Sequence, residues 1–187
     1  NNVFRTLTID SGACVSVICK VASPVYTNSL LVEDNAILNI PRDSKIYVPM
    51  DNIDSTTHID GAIRGMGLFE VVIRYRDLDL SGVSVGDMVV RQSSSATGPR
   101  TVILGGGDDI LADHLTLKDP EAKMMTVTAV GALYVGAISI TDTVTLRGDD
   151  TARALIGPWA PPDWPEPEVG WMILETAGLY FLGLGAQ

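Results

Sequence analysis

The sequence predicts an all-β fold, and three observations carry that expectation. Val, Ile and Thr supply 49 of the 187 residues, and their β-branched side chains suit a pleated, half-buried surface. Asp outnumbers Glu 17 to 6, a balance that favours turns and caps. Short apolar or alternating runs recur along the chain, each closed by Gly, Pro, Asp or Ser.

Taken in order, Val3–Ile9 and Ala13–Val21 read as two strands separated by the turn tripeptide Asp10-Ser11-Gly12. Ala36–Ile40 and Lys45–Val48 are shorter strands, punctuated by Pro41 and Pro49. Asp51–Gly67 is polar and then rich in glycine (Gly61, Gly65, Gly67), which predicts a mobile loop or hairpin tip. Leu68–Arg76 and Val83–Gln92 alternate around the turn Ser81-Gly82, and Thr101–Leu104 is a strand that runs into Gly105-Gly106-Gly107-Asp108-Asp109. Ile110–Leu117 is the helix candidate, with Asp108 or Asp109 placed to cap it. Met124–Val130, Leu133–Ile140 and Thr143–Arg147 are further strands. The stretch 157–170 holds five prolines and two tryptophans, so it predicts an extended arm, followed by a terminal hairpin of Trp171–Leu174 and Leu179–Leu182. No internal repeat of useful length is visible.

Composition narrows the function. A 46% hydrophobic chain can build a packed core, and its length suits one domain (1–130) plus an extension (131–187). A formal charge of −10 with no basic run disfavours nucleic acid, because Lys and Arg supply most phosphate affinity. No apolar run is long enough for a transmembrane helix, and the expected setting is intracellular, without membrane partners. Cys14 and Cys19 lie ~16 Å apart in an extended chain, too far for a disulfide. Two histidines, His58 and His114, do not complete a zinc site with them, and no metal or cofactor is expected. Gly105–Gly107 lacks a following lysine and is trailed by aspartates, which argues against phosphate binding.

The run Leu7-Thr8-Ile9-Asp10-Ser11-Gly12-Ala13-Cys14-Val15 places an aspartate on a sharp turn between apolar strands. Taken alone, Asp-Ser-Gly is a common turn. With its flanks, the run resembles the active-site motif of retropepsin-like aspartic proteases. Val102-Ile103-Leu104-Gly105 resembles that family's second signature, and Asp109-Ile110-Leu111 with His114 and Asp119 resembles the helix pattern of its gypsy-type retrotransposon and cellular members. The Gly61–Gly67 region, followed by Leu68–Arg76, sits where the family places its flap. The resemblance implies a closed β-barrel or sandwich with one short helix, and a β-rich C-terminal extension over 131–187.

Because the chain holds one Asp-Ser-Gly, the resemblance also implies a homodimer in which two Asp10 carboxylates share a proton and activate water against a peptide or polyprotein. Asp10, Ser11 and Gly12 are then the catalytic motif, with Ser11 linking the two active-site loops. Ala13, Ile63, Met66, Leu68, Ile103, Leu104 and Gly105 are the expected substrate-binding residues. Two other readings stand beside this one. The first is an inactive retropepsin fold serving as a dimerisation module. The second is a β-sandwich structural protein, such as a virion component, in which Asp10 is only a turn and Trp159, Trp164 and Trp171 mark contacts.

Overall fold

A strand that buries every second residue needs a neighbour for its backbone and a cover for its apolar side. This chain supplies both to itself, one turn later. The computed structural model describes residues 2–50, 52–105, 110–119, 125–130, 132–148, 153–156, 169–174 and 179–181. Every ladder between strands in it is parallel.

The strands, numbered in chain order, stack on three faces. The first face holds β1 (Asn2–Ile9), β3 (Val25–Val32), β5 (Lys45–Pro49) and the later halves of β7 (Ala62–Ile73), β9 (Val83–Gln92) and β11 (Ile110–Lys118), followed by β13 (Ala132–Gly148). The second face takes the ends of β1 and β3 and then β6 (Thr57–Ile59). It continues with β8 (Leu78–Asp79), β10 (Thr101–Gly105), β12 (Thr126–Val130) and the end of β13. The third face takes β2 (Cys14–Ser16), β4 (Ile37–Asn39) and the starts of β7, β9, β11 and β13. β14 (Arg153–Ile156) and β16 (Leu179–Phe181) extend it. β15 (Val169–Leu174) pairs with β13. The result is a parallel β-solenoid of about five full turns.

Register shows how like stacks on like. Asn2, Val25, Ile46, Phe69, Met88, Leu115 and Ile138 pair in succession, and from Val25 onward this inward column is buried. Val48, Val71, Val90 and Leu117 form a second buried column beside it. Leu38, Ile63 and Val83 line the third face from inside, and Ile9 and Val32 the second. Each such side chain contributes about 1.5–3 kcal/mol by leaving water. On the outside, Tyr26, Tyr47 and Glu70 form the neighbouring column of the first face. The tyrosine rings meet edge-on at 5.3 Å, and Glu70 is held between Lys45 and Arg91, each at 2.5 Å.

This architecture corrects the barrel or sandwich expected from the sequence. A closed retropepsin-like barrel needs antiparallel neighbours joined by hairpins, whereas here every strand pairs with one a full turn away. The expected helix at Ile110–Leu117 is strand β11, because Leu115 and Leu117 extend the two inward columns. The expected terminal hairpin is not formed, since β15 pairs with β13 and β16 with β14. The proposed flap is packed: a Cβ on Gly65 or Gly67 would lie 2.2 or 2.4 Å from the carbonyl oxygen of Ile40 or Pro41, so these glycines let successive turns approach. β3 escapes the sequence because Thr27, Asn28 and Ser29 interrupt its alternation. Thr27 is nevertheless fully buried, its hydroxyl donating to Ser29 O at 2.6 Å. The arm at 157–168, with Trp159 and Trp164, lies outside the described residues.

Thr27 is not alone in breaking the apolar rule at an inward position. Thr57 pairs with Leu30 in the second-face column, and its hydroxyl is buried without a partner. A buried unpaired hydroxyl costs about 1–3 kcal/mol. Thr57→Val keeps the shape and removes that cost, so denaturant titration is expected to show a gain of about 1 kcal/mol. A loss would mean that the hydroxyl is satisfied in solution.

Candidate functional site

Asp10, Ser11 and Gly12 round the corner between the second and third faces. Ala13 N–H donates to Asp10 O at 2.9 Å, and Gly12 has φ +73°, the left-handed third position of a tight turn. The same turn recurs. One turn on, Ala36 N–H donates to Glu33 O at 3.0 Å with Asn35 at φ +58°. Further along, Val83 N–H donates to Leu80 O at 3.2 Å with Gly82 at φ +84°. Between these two, Asp60 and Gly61 round the corner with both N–H groups donating to Val32 O, at 2.9 and 3.1 Å. The four corners read Asp-Ser-Gly-Ala, Glu-Asp-Asn-Ala, Ile-Asp-Gly-Ala and Leu-Ser-Gly-Val. What they share is a left-handed or glycine residue followed by a small one. The place of Asp10 is taken by Glu33, Ile59 and Leu80, so this corner has no need of a carboxylate there.

Ser11 ties its corner to the next turn. Its N–H donates to Glu33 Oε2 at 3.1 Å and its hydroxyl donates to Asp34 O at 2.8 Å. The Asp10 side chain is exposed and has no hydrogen bond to any described residue.

The other expected site residues do not gather around Asp10. Ile63 is buried inside the third face and Leu104 inside the second, both as core. Ile103 lies beside Leu104, half-buried, and Gly105 closes β10 with φ +101°. Leu68 is half-buried on the outside of the first face, and Met66 stands 52% exposed at the corner before it. Ala13 is partly buried against the core. These residues occupy different faces, so no single cleft collects them.

A concave surface among the described residues lies elsewhere, outside the second face of the first three turns. Thr8, Leu31 and His58 form an outward column there. Two depressions flank Leu31, each of about 330 Å³. One, toward the Asp10 corner, is lined by Ser11, Val32, Glu33, Asp34, His58 and Asp60, and His58 pairs with Asp60 at 2.9 Å. The other, toward the first face, is lined by Arg5, Thr6, Asn28, Ser29 and the segment Asn52 and Asp54 to Thr56. Thr56 N–H donates to Ser29 Oγ at 3.0 Å, and Leu30 N–H donates to Thr56 O at 3.0 Å, so this loop is seated on the second turn. Sequence reasoning missed the depression because its residues are polar, scattered over three turns and unmarked by any motif.

A second electrostatic feature sits where the third face meets the first. Burial raises the pKa of the Asp113 carboxyl above the ordinary value; Asp87 adds to this and Arg42 opposes it. No protein family, curated protein or solved structure matches this chain.

Gly12→Ala forces a Cβ into the left-handed region, with nothing nearby to clash. A loss of about 1–2 kcal/mol is expected. Gly12→Asn, which copies Asn35, loses less; equal losses in denaturant titrations would refute the turn assignment. For Asp113, the folded chain holds the proton more tightly than the unfolded one. Stability from this group is therefore present below the ordinary carboxylate range and is lost as pH rises through the raised value. Asp113→Asn is expected to raise the melting temperature near neutral pH and leave it unchanged at about pH 3. The reverse ordering of the two pH values would contradict the burial of this group.

Proposed function

We propose that the chain is a non-enzymatic β-solenoid module, a rigid stem that presents side chains on its outer faces. The observation that carries this reading is the recurrence of the Asp10 turn at the same corner with Glu33 and Leu80 in place of the aspartate. A turn that must change chain direction once per coil accounts for Asp-Ser-Gly-Ala without any chemistry. A water-activating dyad would need a second carboxylate facing Asp10 in a covered cleft, and the surroundings of Asp10 are open. The homodimer implied by a single Asp-Ser-Gly loses its rationale with the dyad. The rod-like stacking favours a structural role, since each turn touches only its neighbours and the outer faces remain available.

The test is cleavage of an unbiased peptide library from acidic to neutral pH, with the wild type and Asp10→Asn side by side and pepstatin as control. No pepstatin-sensitive, Asp10-dependent cleavage is expected, and Asp10→Asn should melt with the wild type. Cleavage that vanishes in Asp10→Asn would overturn the reading and restore the aspartic protease.

A further inference from the structure

We propose that the depression formed by Arg5, Asn28, Asn52, Asp54 and Ser55 on the second face is a binding site for a neutral sugar ring. Four observations bear on it. First, the described residues that line it are polar apart from Leu31, and they supply a guanidinium, two amides, hydroxyls and a carboxylate. Second, the side chains of Arg5, Asn28 and Asp54 make no hydrogen bond or ion pair with any described residue. Third, Ser55 is 4% exposed, so this side of the depression is packed into the third turn. Fourth, the wall is built: Thr56 N–H donates to Ser29 Oγ, Thr56 O accepts from Leu30 N–H, and Arg76 donates to Ile53 O at 3.2 Å to brace the loop.

The chemistry selects among ligands. Arg5 and Asp54 oppose each other in sign, so the site has no net preference for an anion, and a phosphate would face the Asp54 carboxylate. Among the described residues no aromatic side chain lines it, which removes the stacking platform that a nucleobase needs. A sugar hydroxyl both donates and accepts, and so can satisfy Asp54 and Arg5 at once. A volume of about 330 Å³ is at the small end for ligand pockets and suits one ring. Such a site is compatible with either outcome at Asp10, because it shares no residue with that turn.

The experiment is amide chemical-shift titration of the full chain with methyl β-D-glucoside and methyl β-D-galactoside, with glucuronate and inorganic phosphate as comparators. Saturable shifts at Arg5, Asn28 and Asn52–Thr56 with a neutral glycoside are expected. Asn28→Ala and Asp54→Ala should each weaken binding about tenfold, the equivalent of one hydrogen bond to a charged or well-placed group. No shift with either glycoside in the folded chain, shifts with phosphate alone, or binding unchanged in Asn28→Ala and Asp54→Ala would each overturn the proposal.

Discussion

Everything in this molecule depends on one constraint: each turn must present to the next an inward residue where the next has an inward residue. A parallel ladder between coils fixes the height of every residue relative to its neighbour, and a slip of one place would turn every apolar column outward. The columns led by Val25 and Val48 meet this condition over several turns, although the spacing between paired residues changes from coil to coil. Val3, Tyr26, Tyr47, Glu70, Val89, Thr116 and Ser139 pair in succession at spacings of 23, 21, 23, 19, 27 and 23 residues. Register is thus restored on each face by the buried columns themselves, and the corners absorb the difference.

The outer columns obey a looser rule, and that is where function can reside. Glu70 is nearly buried on the outside of the first face and is paired on both sides, because Lys45 below and Arg91 above supply a cation on each neighbouring turn. Stacking places like positions about 4.8 Å apart, so an outward residue is always judged against the one above and the one below. The depression beside Ser55 follows the same logic. Three turns contribute to it, and none of them would form it alone.

The all-β character was legible in the β-branched content and the turn residues, and most strands fall where the alternation places them. Parallel stacking was not legible, because a solenoid announces itself through a repeat, and spacings between 19 and 27 residues blur one. The repeat was nevertheless present at the corner, as Asp10–Ala13, Glu33–Ala36 and Leu80–Val83, with glycine and asparagine exchanging at the left-handed position. Side-chain variety hid it, since backbone conformation and not chemistry is what recurs there. Asp10 is ambiguous for the same reason: apolar strands around Asp-Ser-Gly arise as readily from a solenoid corner as from a protease loop. Gly61, Gly65 and Gly67 misled in the same direction, because glycine placed for close packing and glycine placed for mobility are indistinguishable in one sequence.

The edge between the first and second faces behaves differently from the Asp10 corner. The chain passes it without interruption in β1 and β3, with seven residues between β5 and β6, four between β7 and β8, and eight between β9 and β10. These segments are strapped to their surroundings: Arg100 Nε donates to Arg74 O at 2.8 Å, and Thr101 N–H donates to Asp77 Oδ1 at 2.8 Å. The residues of these segments leave sideways along this edge and add nothing along the axis. A coil of 19 residues and a coil of 27 advance the rod by the same step, about 4.8 Å. The reach of such a protein is counted in turns, while its girth along one edge is free to vary.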